Sequence, residues 1–139
     1  MFKRGRKAAA VAPKTDIRHQ RGRDGEEISV AFLRFKGAQI VARNWRSASR
    51  LRGELDIVAL EGDCVCFVEV KTRTSLDFGE PQDAVNSAKQ KQIARLASAF
   101  LHEKEWPDRA FRFDIVEVWL LPNQKPRVNW IRAAFEIRD

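Results

Sequence analysis

The sequence predicts one α/β domain in which helices flank a mixed sheet. Three observations carry this prediction: an amphipathic helix near the N-terminus, three strand patterns joined by turn residues, and a second long helix followed by two strands. The predicted order is α-β-β-β-α-β with one strand appended. With 139 residues, 44% of them hydrophobic, the chain has enough residues for one ordinary core and too few for two.

The boundaries of these elements follow from capping and turn residues. The first helix is predicted to start at Asp24, which forms a capping-box-like pair with Glu27, and to end at Gly37. The second helix is predicted over residues 82–103, after a loop over residues 75–81. Strands are predicted over residues 38–42, 54–61, 64–72, 111–120 and 128–135.

The formal charge of +7 is concentrated at one end of the chain. Residues 1–23 hold eight Lys or Arg and one acid, Asp16, which leaves 18 bases and 18 acids in residues 24–139. We therefore predict a basic, disordered tail over residues 1–23 and a single domain over residues 24–139. The tail is either a plain terminus or an arm that attracts phosphates, and the neutral body can bind a polyanion only through a local patch.

The composition excludes several other classes of protein. No apolar run approaches the roughly 20 residues that span a bilayer, and the N-terminus lacks the apolar centre of a signal peptide. We expect a cytoplasmic location and no membrane partner. Cys64 and Cys66 lie two apart on one strand and far from His19 and His102, so neither a disulfide nor a zinc site is expected.

Gly62-Asp63 suits a type II′ hairpin turn between the second and third strands. In that register paired residue numbers sum to 125, so Asp56 falls opposite Glu69 and Glu54 opposite Lys71. Directly opposed Cβ atoms lie about 4.5–5.5 Å apart, close enough for two carboxylates to share a cation.

Both faces of this strand pair are predicted to be covered. One face is predicted to carry Glu54, Asp56, Val58, Leu60, Val65, Phe67, Glu69 and Lys71. The other is predicted to carry Leu55, Ile57, Ala59, Cys64, Cys66, Val68 and Val70. Charges at one end of a covered strand pair are costly without partners or a metal.

These residue types suit phosphodiester hydrolysis. Mg²⁺ or Mn²⁺ held by Asp56 and Glu69 would neutralise phosphate charge and activate a water. Lys71, beside Glu69 on one strand, would orient that water or stabilise charge growing on the phosphate oxygens. Glu54 is a candidate either to pair with Lys71 or to complete the ligands of the cation, and its alternative role is to cap the strand entrance.

Basic side chains outside the tail, together with one glutamine, are the candidate nucleic-acid contacts. They are Arg43, Arg46, Arg50 and Arg52 in a stretch without acids, Arg73 on the third strand, and Lys89 and Gln92 on the second helix. Arg95 is interpreted as part of a solvated face. Trp45 either stacks on a base or packs in the core, and Asp114 is predicted to pair with Arg112.

Two segments resemble the signature of the YraN family of small bacterial proteins. They are Gly53-Glu54-Leu55-Asp56-Ile57-Val58-Ala59 and Phe67-Val68-Glu69-Val70-Lys71-Thr72-Arg73. Matches at the right intervals are Gly25-Glu26, Ala42-Arg43-Asn44-Trp45-Arg46, Phe78-Gly79 with Pro81, Ala84-Val85 with Lys89, and Arg112-Phe113-Asp114. The resemblance extends from Gly25 to about Val118.

The YraN family in turn resembles the PD-(D/E)xK nucleases, whose restriction-endonuclease-like fold is shared by archaeal Holliday-junction resolvases. This resemblance implies that Asp56 and Glu69 are metal ligands, Lys71 the catalytic lysine and Glu26 an additional acid. The chain departs from the pattern at Leu55, where the superfamily motif has Pro.

The sequence therefore predicts a metal-dependent nuclease-like protein that acts on DNA, branched or otherwise structured. The alternatives are a non-catalytic nucleic-acid-binding protein that keeps the fold, and an interaction module whose Asp56, Glu69 and Lys71 form only a buried ion network. The oligomeric state is open, a homodimer included.

Overall fold

A computed structural model describes residues 14–75 and 85–137 of the chain. Residues 1–13 of the predicted tail therefore lie outside the described residues. So do most of the loop predicted over residues 75–81 and the first residues of the predicted second helix. The elements are α1 (Lys14–Phe35), β1 (Gln39–Trp45), β2 (Leu55–Glu61), β3 (Cys64–Arg73), α2 (Ser87–Glu103), β4 (Phe111–Trp119) and β5 (Arg127–Phe135). This order confirms the predicted α/β class.

The five strands form one mixed sheet in the order β1-β2-β3-β4-β5. β3 and β4 are parallel, and the three other neighbouring pairs are antiparallel. A parallel pair needs a long crossover, and α2 supplies it. None of the helices in the described part of the chain is long and apolar enough to cross a membrane.

Each face of the sheet is covered by one helix. On one face Val58, Val65, Phe67, Phe113 and Ile115 pack with Ile93, Leu96 and Phe100 of α2. On the other, Ile57, Ala59, Cys66, Val68 and Val116 pack with Val30 and Leu33 of α1. This arrangement confirms the predicted alternation in β2 and β3 and accounts for strands that are apolar on both sides.

Leu55 departs from the predicted alternation. It joins the α2 side of the core, whereas the strand pattern predicts that it lies with Ile57. Its partner across the ladder is Trp45, which packs edge-on against Phe100 with ring centroids 5.2 Å apart. Trp45 directly follows Asn44, whose φ of 48° is left-handed, so strict alternation does not hold at this end of β1.

α1 begins at Lys14 rather than at Asp24, so residues 14–23 are helical. Gln20 donates to Asp24 Oδ1 at 3.0 Å and accepts from Arg23 at 3.0 Å, contacts that continue the helix through the predicted N-cap. The predicted end is confirmed. Gly37 has φ 94°, and the amides of Gly37 and Ala38 donate to the carbonyls of Arg34 and Leu33, which is a Schellman motif.

A glycine brings α1 close to the sheet. A Cβ added at Gly25 would lie 2.0 Å from Thr72 Oγ1 on β3, and the buried Ser29 hydroxyl donates to the Gly25 carbonyl at 2.7 Å. A side chain at position 25 would therefore require the Thr72 side chain or the helix to move. The close approach sets Glu26, the next residue, beside the end of β3.

An ion network joins β5 to β4 and β2. The fully buried Asp114 accepts hydrogen bonds from Arg112 Nε, Trp130 Nε1 and the Ala133 amide at 2.9–3.2 Å. The predicted Arg112–Asp114 pair is thereby confirmed. Glu61 accepts from Arg112 and Arg132 at 2.7–2.8 Å, which joins β2, β4 and β5.

Candidate active site

The turn at Gly62-Asp63 has the predicted geometry and register. Gly62 has a positive φ of 58°, as the first central residue of a type II′ turn requires. The observed pairs run from Glu61–Cys64 to Ile57–Val68. One further step along this register sets Asp56 opposite Glu69, as the sum of 125 predicts.

Asp56 and Glu69 form a half-buried pair of acids where β2 and β3 separate. The Val70 amide donates to Asp56 Oδ2 at 2.9 Å, and the Asp56 and Glu69 carboxyl groups lie close enough to influence each other's protonation. Burial raises the pKa of both carboxyl groups, and the charge of Asp56 adds to the rise at Glu69. The pair therefore tends to hold a proton on Glu69, or to attract a cation that replaces it.

Two further acids complete a cluster with this pair. Glu26 lies on α1, and Glu54 directly precedes β2. Glu26, Glu54 and Asp56 each offer one oxygen, and these three oxygens lie within 4.8 Å of one another. The structure thus brings together the two predicted metal ligands, the additional acid and the candidate accessory acid. We call these four residues the acid cluster.

Asn44 joins two members of the acid cluster. Its Nδ2 donates to Glu26 Oε2 at 3.1 Å and to Glu54 Oε1 at 3.2 Å. Its left-handed backbone, with φ 48°, turns the side chain of an edge strand onto these carboxylates. Asn is among the few residues other than Gly that tolerate this conformation.

Cations surround the acid cluster. Lys89 Nζ on α2 lies 3.7 Å from Glu69 Oε1, and Arg46 lies 3.2 Å from Glu54 Oε2. Lys71 is exposed and lines a cavity of about 550 Å³ together with Arg21 and Glu26. Among the side chains described, those of residues 20–75 and 85–137, no carboxylate lies within ion-pair distance of Lys71.

The oxygens of the acid cluster fit a small divalent cation. Mg²⁺ binds carboxylate oxygens at about 2.1 Å, so oxygens in its shell lie at most about 4.2 Å apart. One oxygen each of Glu26, Glu54 and Asp56 lies within 4.8 Å of the others, which is close to that value. Glu69, the neighbour of Asp56, is the next available ligand. The ligand set contains only oxygen, which Mg²⁺ and Mn²⁺ prefer.

The structure divides the predicted nucleic-acid contacts into two groups. Arg43, Arg46 and Arg73 are paired with acids: Arg43 with Glu27, Arg46 with Glu54, and Arg73 with the buried Glu117 at 2.7 Å. Arg73 is only 12% exposed, so it stabilises the β3–β4 pair rather than facing solvent. Arg50, Arg52, Lys89 and Gln92 instead line one cavity of about 550 Å³.

Two features of the site, the side chain of Asn44 and the Val70 amide, are not predicted from the sequence. Asn44 stands among arginines in the sequence and is not predicted to be part of the site. An Asn near a strand end is nevertheless a known signal for left-handed backbone. The Val70 amide, which binds Asp56, carries no sequence signal. Arg95 is exposed, as predicted for a solvated face, and it also lines the same cavity as Arg50 and Arg52. Trp45 packs in the core, the second of its two predicted roles.

Fold and site together define an α/β protein with a restriction-endonuclease-like core, in which carboxylates from α1, β2 and β3 meet at one end of a mixed sheet. Residues 25–118 match the model of the uncharacterised protein family UPF0102. The chain belongs to that family, which is the YraN family that its motifs resemble.

Similar proteins of this family occur in distant bacteria. A UPF0102 protein of Nocardia farcinica is 40% identical over 128 residues, which cover 92% of this chain and 98% of the relative. One from Chlorobaculum tepidum is 42% identical over 123 residues, covering 85% and 93%. One from an Arthrobacter species is 44% identical over 113 residues, covering 81% and 93%. The likeness therefore extends over nearly the whole of each relative.

Proposed function

We propose that this protein is a metal-dependent nuclease that hydrolyses phosphodiester bonds of DNA, branched or otherwise structured. The observation that carries the proposal is the half-buried Asp56–Glu69 pair at the end of the β2–β3 ladder, with oxygens of Glu26 and Glu54 near Asp56. Clustered carboxylates repel one another, and a divalent cation is the partner that a cluster of four acids suits best.

Each residue has a distinct proposed role. Asp56 and Glu69 hold Mg²⁺ or Mn²⁺, with Glu26 and Glu54 completing the oxygen ligands. When bound, the cation would neutralise charge on the phosphodiester and lower the pKa of a water. The Lys71 ammonium, exposed in the cavity beside Glu26, orients the attacking water or stabilises charge on the phosphate oxygens.

The reaction these groups support is a simple hydrolysis. Water oxygen forms a bond to phosphorus while the water gives up a proton to a carboxylate of the acid cluster or to solvent. The phosphorus–oxygen bond to the leaving sugar breaks, and the leaving oxygen takes a proton from solvent or from a cluster side chain. Asn44 has a supporting role here. Its two hydrogen bonds hold Glu26 and Glu54 at a fixed separation before the cation arrives.

A second candidate function is nucleic-acid binding without catalysis. One observation favours it: every acid of the cluster already has a donor from the protein. Val70 donates to Asp56, Lys89 lies beside Glu69, and Asn44 donates to both Glu26 and Glu54. Such a network can be satisfied without a cation.

Cleavage assays separate the two candidates. The protein would be incubated with branched, flapped, single-stranded and linear DNA in Mg²⁺, in Mn²⁺ and in EDTA, beside Glu69→Gln purified identically. The nuclease proposal predicts cleavage of at least one substrate that needs the metal and is lost in Glu69→Gln. DNA binding without cleavage of any substrate would support the second candidate and contradict the first.

A further inference from the structure

We infer that the cavity between the β1–β2 loop and α2 binds the phosphate backbone of the nucleic-acid strand that reaches the acid cluster. This surface, here the arginine groove, is lined by Arg50, Arg52, Lys89, Gln92 and Arg95, and by the apolar residues Leu51, Ala88 and Leu96. The inference rests on the proposed function for the identity of its ligand and adds the place where that ligand is held.

Charge in the arginine groove has one sign only. Its described lining contains four basic side chains and no acid. Among the described side chains of residues 20–75 and 85–137, neither Arg50, Arg52 nor Arg95 has an ion-pair partner, whereas Arg43, Arg46 and Arg73 each have one. Unpaired guanidinium groups that converge on a concave surface are suited to bind phosphate with two parallel hydrogen bonds.

The groove is held in shape by contacts between the loop and the helix. Gln92 Nε2 donates to the Arg52 carbonyl at 3.1 Å. Gly53 has φ 88°, and a Cβ there would lie 2.6 Å from Gln92 Nε2, so the loop passes close over α2. Leu51 is packed against the α2 side of the core. The arginines therefore project from a fixed backbone, which lowers the entropy cost of binding.

One residue belongs to both the groove and the site. Lys89 lines the groove, and its Nζ lies 3.7 Å from Glu69 Oε1. A strand bound along the groove therefore passes directly to the acid cluster. The groove holds phosphates on one side of the bond to be cut, while the acids and Lys71 act on that bond.

The groove is built to bind backbone rather than bases. No aromatic side chain is among its described lining residues. The nearby Trp45 is turned inward, edge-on to Phe100. Without a stacking surface or an acid to pair with base amino groups, the contacts expected are ionic and independent of sequence.

The test measures binding without cleavage. Anisotropy of a labelled oligonucleotide would be followed against salt concentration in EDTA, for the whole chain and for Arg50→Ala, Arg52→Ala and Arg95→Ala. Each variant is expected to weaken binding several-fold and to lower the slope of log affinity against log salt by about 0.7–0.9. The matched control is Lys91→Ala, which removes an exposed charge from the same helix outside the groove. It is expected to leave affinity nearly unchanged.

Two further arms make the outcome decisive. Inorganic phosphate and a mononucleotide serve as competitors, and thermal melts verify that each variant is folded. Folded arginine variants that bind like the wild type, or a mononucleotide that competes as well as an oligonucleotide of equal concentration, would overturn the inference. If the arginine variants lose affinity while no DNA is cut under any condition, the groove stands and the nuclease proposal fails. If DNA is cut but the arginine variants bind normally, the nuclease proposal stands and the inference about the groove fails.

Discussion

The Asp56 carboxylate accepts a hydrogen bond from the Val70 amide at 2.9 Å. A side chain on β2 therefore contacts the main chain of β3 where the two strands separate. This contact fixes Asp56 beside Glu69 without neutralising either acid. An Asn side chain can accept the same hydrogen bond through its carbonyl oxygen and carries no charge. An Asn at position 56 can therefore keep the hydrogen bond from Val70 while it removes the charge that repels Glu69.

Asp56→Asn is expected to leave the protein folded, with a melting temperature equal to or above that of the wild type in EDTA at pH 7.5. The amide retains the Val70 contact and can donate to Glu69, which replaces repulsion between two carboxylates. Differential scanning calorimetry measures the change. A melting temperature clearly below the wild type would show that the acid cluster is a structural network.

Asp114→Asn is the matched contrast, because it makes the same substitution in a cluster whose charges are compensated. Asp114 accepts from Arg112, Trp130 and the Ala133 amide, so an NH₂ group there would face a donor. We expect a loss of about 3 kcal/mol in the free energy of unfolding. Equal effects of the two variants in denaturant titrations would contradict the distinction between the two clusters.

Two glycines of α1 should respond in opposite ways to alanine. At Gly22 an added Cβ meets nothing within 4 Å, so Gly22→Ala should stabilise the helix by about 0.5–1 kcal/mol. At Gly25 it would lie 2.0 Å from Thr72 Oγ1, so Gly25→Ala should cost about 1–3 kcal/mol and displace Glu26. Chemical denaturation and Mn²⁺ titration test both effects. Two stabilised variants would show that the close crossing of α1 and β3 is not required.

The β2–β3 hairpin and the acids that it aligns are predictable from the sequence because both depend on local rules. A Gly-Asp turn fixes the register, and the register fixes which side chains face each other, so the pairing of Asp56 with Glu69 follows from the positions of the turn residues. The alternating apolar pattern likewise assigns the two faces of β2 and β3. These predictions need no long-range contact beyond one turn.

Prediction from the sequence fails where contacts between elements that are distant in the chain determine the arrangement. Nothing in the chain near Arg73 indicates that Glu117, on β4, is its partner, and nothing near Arg95 indicates that the loop carrying Arg50 and Arg52 lies across it. The role of Asn44 depends on φ 48° and on acids from two other elements. Arrangements of this kind are set by packing rather than by periodicity.

Asn44→Gly tests whether this residue holds the acid cluster together. Glycine tolerates the left-handed backbone, so the substitution removes the two amide hydrogen bonds without adding strain. We expect Mn²⁺ affinity to fall by about 10-fold while the melting temperature changes little. Calorimetric titration gives the affinity. An unchanged Mn²⁺ affinity would show that Glu26 and Glu54 do not depend on Asn44.

Acid should weaken the far end of the sheet through Glu61. Hydrogen bonds from Arg132 and Arg112 lower the pKa of Glu61 to about 2, from an ordinary value of 4.5. A lowered carboxyl pKa contributes stability above about pH 4.5 and loses it as the pH falls towards 2. The difference in unfolding free energy between wild type and Glu61→Gln should therefore shrink over that range. A difference that stays constant from pH 6 to pH 2.5 in denaturant titrations would contradict this role.

The proposed active site depends most on the separate roles of Asp56, Glu69 and Lys71. The direct measurement is calorimetric Mn²⁺ titration beside single-turnover DNA cleavage for the alanine variant of each, with whichever substrate the wild type cuts. Lys71→Ala should bind Mn²⁺ and DNA normally but cut about 100-fold more slowly, since it acts only on the reacting groups. Asp56→Ala and Glu69→Ala should lose Mn²⁺ binding together with cleavage. Three variants that bind Mn²⁺ and cut DNA as the wild type does would contradict the proposed active site.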